Sequence, residues 1–418
     1  MKKCVFTIVA KNYIGLAEIL GQSLNAHHPD TDFFIFVADE LNDSNNIELP
    51  YNVIIVKDIN SYTDDEWTEM TFKYNLTEFC TAIKPACFQH LFSLDYQNVI
   101  YFDPDIYIFS PLNDIFYKME TFDVILTPQI AGIHVIYEGE HPEWAMNVNG
   151  IFNLGFCGMK NTDITHRITE WWKTRLKDNC FADRSTGNFT DQKWMDWMPG
   201  LLGNNHLYIM QHLGMNMAPW NFFERELFMS EDRIMVRFRT SDNPQSEVPL
   251  VFLHFAGYNY SKLKKGVIER KRIENLQEYK DLSLATDVYK QAIMDNSKVF
   301  DCFIHLQYSY DTYENGYPIS SFHRRLYHGL VLSGKAPSSP FSAGKDSFFS
   351  KMKKKNMVEI LKFDNLNQRN IPKLEKKKNM IIMLFTFLYK LMGYKRYAMF
   401  LKSLYNYCRP ELHTFLLK

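Results

Sequence analysis

This chain of 418 residues has little of what would place it in a membrane, a zinc fold or a dinucleotide-binding family. A spanning helix needs about 20 consecutive apolar residues. The longest uncharged stretch of the C-terminal region, Asn379 to Tyr389, has 11 before Lys390 interrupts it. The seven cysteines, at 4, 80, 87, 157, 180, 302 and 408, are odd in number and include no C-x-x-C. That argues against a zinc cluster or a disulfide framework and for a reducing compartment. The apolar start ends near Ala10, too short for a signal-peptide core, so a cytoplasmic chain is expected. G-x-G-x-x-G is absent, which disfavours a nicotinamide or flavin cofactor. No G-x-x-x-x-G-K-[ST] is present either, which argues against a P-loop NTPase, and no internal repeat is visible.

What is present is an ordinary globular composition, 46% apolar and 23% charged, with an uneven distribution of charge. Residues 345–418 carry 17 Lys and Arg against 5 Asp and Glu, whereas the first 344 carry 30 against 43. A basic end on an acidic body suggests an anionic partner, most simply a lipid headgroup layer. Within it, Met380 to Tyr407 mixes Phe, Tyr, Leu and Met with Lys390, Lys395, Arg396 and Lys402, a pattern suited to lying on a membrane surface. Its alternative is a small helical subdomain.

Apolar runs alternate with helical periodicity through the first half. Cys4 to Ala10, Phe33 to Ala38, Val53 to Val56 and Val99 to Phe102 read as strands, and Leu16 to Asn25 and Phe79 to Phe92 as helices. Ile106 to Phe109, Asp123 to Thr127 and Val251 to Phe255 add strands, and Ile164 to Leu176 a helix that Trp171 and Trp172 share. Thr190 is expected to cap a helix beginning at Asp191, and the turn-rich stretch Asp311 to Asp346 to be a linker. The alternation predicts an α/β fold with a mainly parallel sheet, whose ligands bind beyond the carboxyl ends of the strands.

At one such end stands Asp103-Pro104-Asp105. Residues i and i+2 of an extended chain point the same way, so both carboxylates can grip one hard divalent cation. Without a cation they repel. His254, in Phe252-Leu253-His254-Phe255-Ala256-Gly257, ends another apolar run, and an imidazole beside two carboxylates favours Mn²⁺ over Mg²⁺. Gly257 allows a close backbone approach to a phosphate, and Lys262, Lys264 and Lys265 follow with positive charge. Asn12 and Tyr13 lie just after the first strand, where a base can stack. Asn153, Asp191 and Gln192 offer polar groups to a sugar. Taken singly, each of these has a plain structural reading as a turn, cap or packed residue.

Their order resembles a family. Ala10-Lys11-Asn12-Tyr13, Thr81-Ala82-Ile83-Lys84, Asp103-x-Asp105, Asn153-Leu154-Gly155, Asp191-Gln192 and His254-Phe255-Ala256-Gly257 resemble the family 8 glycosyltransferases, the GT-A-fold galactosyl- and glucosyltransferases that include glycogenin, over residues 1 to 265. The resemblance implies a Rossmann-like GT-A domain and transfer of a hexose from a UDP-sugar to a saccharide or lipid-linked acceptor, with retention. It implies that Asp103, Asp105 and His254 hold Mn²⁺ (or Mg²⁺) on the diphosphate. Ala10, Asn12, Tyr13, Asn153, Gly257 and Lys262 would bind the donor, and Lys84, Asp191 and Gln192 would surround the reacting carbon. Three positions depart from the pattern. Lys84 stands where the family has Arg and Lys11 where it has an acid. Tyr260 replaces the Lys expected after the histidine motif, with Lys262 two residues on.

The expected organisation is a GT-A catalytic domain over 1–270, a helical extension and linker over 271–344, and a basic, aromatic, mainly helical tail over 345–418. The expected setting is cytoplasmic, peripheral to the inner face of the cell membrane, with no nucleic-acid partner. Two rivals are a sugar-nucleotide nucleotidyltransferase and a non-catalytic carbohydrate-binding relative. The first should carry a Gly-rich basic loop after the first strand, absent from Ala10 to Gly15, and the second should have lost part of the acidic-histidine set.

Overall fold

The computed structural model describes residues 2–41, 48–50, 52–239, 247–258, 279–358 and 374–417. The chain divides into two compact units, Met1–Ser61 with Leu76–Ser309 and Tyr62–Asn75 with Tyr310–Lys418. Residues 279–309, placed by the sequence in a separate extension, cluster with the first unit.

The first unit is built on a seven-stranded sheet. Its strands are β1 Lys3–Val9, β2 Asp32–Val37, β3 Val53–Ile55, β4 Asn98–Phe102, β6 Val124–Leu126, β7 Phe156–Lys160 and β10 Leu207–Ile209. They lie in the order β10-β6-β7-β4-β1-β2-β3. β1 runs parallel to β2 and β4, β2 to β3, and β6 to β10, while β7 is antiparallel to β4 and β6. The central strand β4, Asn-Val-Ile-Tyr-Phe, is buried at every position, as a strand covered on both faces must be. Helices Ile14–Asn25, Lys84–Ser93, Asn113–Thr121 and Asp163–Asp178 flank the sheet. The α/β class with a mainly parallel sheet is as the sequence predicted. β5 Ile106–Ile108 leaves the sheet to pair antiparallel with β14 Phe252–His254. β8 Ala182–Asp183 and β9 Asn188–Phe189 form a two-residue ladder, and β11 Arg225–Ser230, β12 Arg233–Phe238 and β13 Val248–Pro249 a small antiparallel sheet.

Two local expectations change. The single helix expected over 79–92 is two, Leu76–Ala82 and Lys84–Ser93, because Pro85 has no N–H to donate and fits only a first helical turn. The break at Ile83 puts Lys84 at a helix start. Thr190 is no cap: it takes the left-handed conformation (φ 49°), and the helix after it, Gln192–Met195, has only four residues.

In the second unit, helix Asp64–Lys73 opens with a capping box between Thr63 and Glu66. Its last carbonyls, on Thr71, Phe72 and Tyr74, accept from the buried Arg324 guanidinium at 2.7–3.0 Å. Arg324 belongs to helix Ser321–Leu332, capped by Ser320, which occupies the stretch read as a linker. The glycines and prolines on either side of that helix masked a 12-residue amphipathic segment. Phe72, Tyr313, Tyr327, Phe348 and Met352 form the core of this unit. Helix Leu374–Tyr407, broken at Gly393 (φ 70°), has no buried residue among those described, and most of them are exposed. Among the described residues no helix is long and apolar enough to cross a membrane.

Candidate active site

The buried β4 ends at Phe102 and delivers Asp103 to the carboxyl edge of the sheet, where its N–H donates to the Gly155 carbonyl at 2.8 Å. The chain turns at Pro104, and Asp105 enters β5. Because β5 and β14 are in register with Ile106 opposite His254, Asp105 and the imidazole meet. The Phe255 N–H donates to the Asp105 carbonyl at 2.8 Å and fixes the pairing. His254 Nε2 lies 3.0 Å from Asp105 Oδ1 and 3.6 Å from Asp103 Oδ2. One ligand atom from each of the three lies within 4.8 Å of the others. Two carboxylate oxygens and one imidazole nitrogen form a donor set that fits a divalent cation of the Mn²⁺ or Mg²⁺ kind, with positions left over for other oxygens.

Burial, and the neighbouring Asp105 charge, push the Asp103 carboxyl above its ordinary range, against the pull of His254, Lys84 and a hydrogen bond from the Tyr101 hydroxyl. That bond is 2.5 Å long. Concentrated negative charge is costly here, which is what a bound cation relieves.

Lys84 is buried and aimed at the same edge. Its ammonium donates to Asp191 Oδ2 at 2.5 Å and to the Leu154 carbonyl at 2.9 Å, and sits 3.9 Å over the Tyr101 ring. The structure thus joins Lys84 and Asp191 directly, a pairing the sequence did not suggest. Thr190 Oγ1 donates to Asp191 Oδ1 at 3.2 Å, and Trp172 Nε1 to the Asp191 carbonyl. Gln192 Oε1 accepts from Asn153 Nδ2 and the Leu154 N–H, both at 3.2 Å, while its Nε2 donates to the Asn149 carbonyl.

Asn12 and Tyr13 sit in the 3₁₀ turn Lys11–Tyr13 that follows β1 and Ala10. The Asn12 Oδ1 is buried and accepts no hydrogen bond in the structure. Burial, with the Asp105 charge adding to it, raises the Tyr13 hydroxyl pKa. Lys11, buried where the family has an acid, turns away: its ammonium donates to the Glu40 carbonyl and Ser309 Oγ, and its N–H to Asp39 Oδ2. Gly257 adopts φ 77°, a conformation that favours glycine. Lys262, with Lys264 and Lys265, lies outside the described residues.

A cavity of about 470 Å³ opens beside His254, lined among others by Gln129, Asn149, Asn153, Gln192, Trp220 and Gly257. Trp220 meets the His254 ring edge-on at 5.4 Å, and its Nε1 is buried without an acceptor. Sequence reasoning missed Trp220, Gln129 and Asn216. They lie in aperiodic turns, and the only signal was polar or aromatic side chains among apolar ones. It also missed Glu224, whose buried carboxylate accepts from the Ala131 and Gly132 N–H groups and from Arg225 Nε at 3.0 Å, and bonds His134 Nε2 at 2.9 Å. Those contacts anchor the loop that carries the exposed Ile133, Val135 and Ile136.

No family model matches the chain. It is 25% identical over 264 residues to the uncharacterized protein YfnF of Bacillus subtilis (strain 168), spanning 62% of this chain and 82% of that one. Among solved structures it is similar to the galactosyltransferase LgtC in complex with donor and acceptor sugar analogues, with a TM-score of 0.36 and 14% identity over 73% of this chain and 97% of that one. It is also similar to the glycosyltransferase GlyE of Streptococcus pneumoniae TIGR4 (TM-score 0.38, 14% identity, 75% of this chain and 67% of that one). A third is mouse xyloside xylosyltransferase 1 (TM-score 0.34, 11% identity, 52% and 88%). All three are glycosyltransferases by name, the class that the order of motifs resembles.

Proposed function

We propose that this chain is a metal-dependent glycosyltransferase that moves a hexose from a UDP-sugar to a glycan or lipid-linked acceptor with retention of configuration. The observation that carries the reading is the convergence of Asp103, Asp105 and His254 at the strand ends, beside a cavity lined by carboxamides. Asp103, Asp105 and His254 would hold Mn²⁺ or Mg²⁺, which supplies charge to stabilise a departing diphosphate. Asn12 and Tyr13 receive the base and ribose, and Gly257 with Lys262 approaches the phosphates. Asn153 and Gln192 take sugar hydroxyls, which need partners when buried.

The Lys84–Asp191 pair governs charge at the reacting carbon. Both Asp191 oxygens are held, one by Lys84 and one by Thr190, so the carboxylate is fixed where oxocarbenium character develops. A prepositioned charge needs no reorganisation during the reaction. The second unit, with exposed Met380, Ile382, Phe387, Leu391 and Tyr394 among basic residues, is the part we assign to an anionic membrane surface, which makes the protein cytoplasmic and peripheral.

A panel of UDP-sugars, with hydrolysis and transfer measured in Mn²⁺ and in chelator, tests the reading. UDP release confined to one or two sugars and dependent on the metal is the expected result. Uridylyl transfer to a sugar phosphate, or binding without turnover, would replace the reading with one of its rivals.

A further inference from the structure

We infer that Asn153 is a positioning residue for the metal centre: its amide oxygen holds the His254 ring with the proton on Nδ1, so that Nε2 presents its lone pair toward Asp103 and Asp105. The inference rests on the metal-site reading above and goes beyond it by assigning Asn153 a role toward His254 rather than toward sugar alone.

The hydrogen-bond pattern fixes the amide without ambiguity. Asn153 Oδ1 accepts from the Gly155 N–H at 3.1 Å, a group that can only donate. Asn216 Nδ2 donates to the same oxygen at 3.2 Å, and to Thr127 Oγ1 at 2.8 Å. At the other end, Asn153 Nδ2 donates to Gln192 Oε1, which is itself identified as oxygen by the Leu154 N–H. The atom facing His254 Nδ1 at 3.3 Å is therefore an acceptor, and Nδ1 must carry a hydrogen. With Nδ1 fixed as the donor, a cation that displaces the proton Nε2 would otherwise share with Asp105 Oδ1 at 3.0 Å meets a lone pair on Nε2.

Gly155 is what lets the two groups meet. A Cβ there would stand 2.7 Å from His254 Cε1 and Nδ1 and 2.8 Å from Asn153 Oδ1. The ring occupies the space that any side chain would fill. Trp220 packs edge-on against the same ring and restrains its tilt. Thr127, Asn216, Asn153 and His254 thus form a relay of contacts from the buried end of β6 to the acidic pair, in which His254 alone faces the cation.

The test uses full-length protein and Mn²⁺ as the probe. Binding of Mn²⁺ is followed by electron paramagnetic resonance, with and without UDP, in the wild type, Asn153→Ala, Asn153→Asp and Gly155→Ala. Loss of an outer partner of a histidine ligand costs on the order of 10- to 100-fold in metal affinity. Asn153→Ala and Gly155→Ala should show that loss. Asn153→Asp, which keeps an acceptor oxygen, should stay within about 3-fold of the wild type on the same scale. Wild-type affinity in Asn153→Ala would overturn the inference. A second readout needs no metal: ¹⁵N-imidazole NMR of the wild type, with His254 identified by its absence in the spectrum of His254→Gln. A protonated Nδ1 is expected, and an unprotonated Nδ1 would overturn the inference. Failure of the wild type to bind Mn²⁺ at all would instead remove the metal reading, while the NMR measurement still decides the hydrogen bond.

Discussion

Helices in the two units handle their apolar residues in opposite ways. In the first unit, helix Asp163–Asp178 buries Ile168, Trp172 and Leu176, spaced four apart on one face, and turns its charges outward. In the second, helix Leu374–Tyr407 leaves Met380, Ile381, Ile382, Met383, Phe387 and Leu391 exposed, between Lys376–Lys378 at one end and Lys390, Lys395 and Arg396 near the break. The same chain packs one helix and displays the other. What the first unit buries is polar as well: Lys84, Asp191, Gln192, Asn216, Glu224 and His254 all lie inside with partners. Buried polar groups are expensive unless satisfied, and exposed apolar surface is unfavourable unless covered. In the function proposed above, the chemistry belongs to the first unit and contact with an anionic surface to the second.

The largest expected effect lies in the first unit. Asp103→Asn with Asp105→Asn should lower metal-dependent UDP-sugar turnover by about 10³-fold or more, with the melting temperature little changed and vesicle binding intact. Turnover at the wild-type rate would break the assignment of chemistry to this edge. Next comes the opposite experiment. Neutralising Lys390, Lys395 and Arg396 to Gln should weaken binding to phosphatidylserine vesicles by about 10²-fold, since each basic residue near such a surface contributes about 1 kcal/mol. Hydrolysis of the soluble donor should stay unchanged. Vesicle sedimentation and a donor-hydrolysis assay read both, and equal losses in each would show that the two functions are not separable.

How much of this was legible in sequence follows from what sets each feature. The Asp103–Asp105 pair could be read because a buried apolar run ends one residue before it and extended geometry puts the two carboxylates side by side. His254 could be read as another strand end, and its meeting with Asp105 depends on the β5–β14 register, which no local pattern encodes. The Lys84–Asp191 pair joins residues 107 apart in the chain, so only the folded state reveals it. Asn216 was invisible because it occupies a left-handed turn (φ 53°) in a stretch without periodicity. Helix Ser321–Leu332 was lost among turn-forming residues, and the affinity of Tyr62–Asn75 for the C-terminal part rests on Arg324 capping carbonyls about 250 residues earlier in the chain.

Two smaller effects sharpen the contrast in stability. Glu224→Gln leaves the Arg225 guanidinium buried without its carboxylate and should destabilise the protein by about 2 to 3 kcal/mol in denaturant titrations. Burial raises the Glu224 pKa, but Arg225, His134 and two N–H groups outweigh it and hold the net value below the ordinary range. Its stabilisation is present above the unfolded carboxylate pKa and is lost only as pH falls through the lower folded value. His328, in the second unit, works in a different window. Burial, with Lys73, Arg325 and Arg409 nearby, pushes its pKa from 6.5 down to about 3. The unfolded chain then binds a proton that the folded one refuses. Stability should fall as pH drops through 6.5, by about 1.2 kcal/mol between pH 7 and 5.5. Replacing His328 by Phe should flatten that slope, and an unchanged slope would assign it to another group.

Where a cation binds decides whether Asp103, Asp105 and His254 form a metal centre. Anomalous diffraction from crystals grown with Mn²⁺ and UDP should show a single strong peak within coordination distance of Asp103, Asp105 and His254, with diphosphate oxygens on its open side. UDP bound with no peak at these three side chains, or a peak elsewhere, would contradict it.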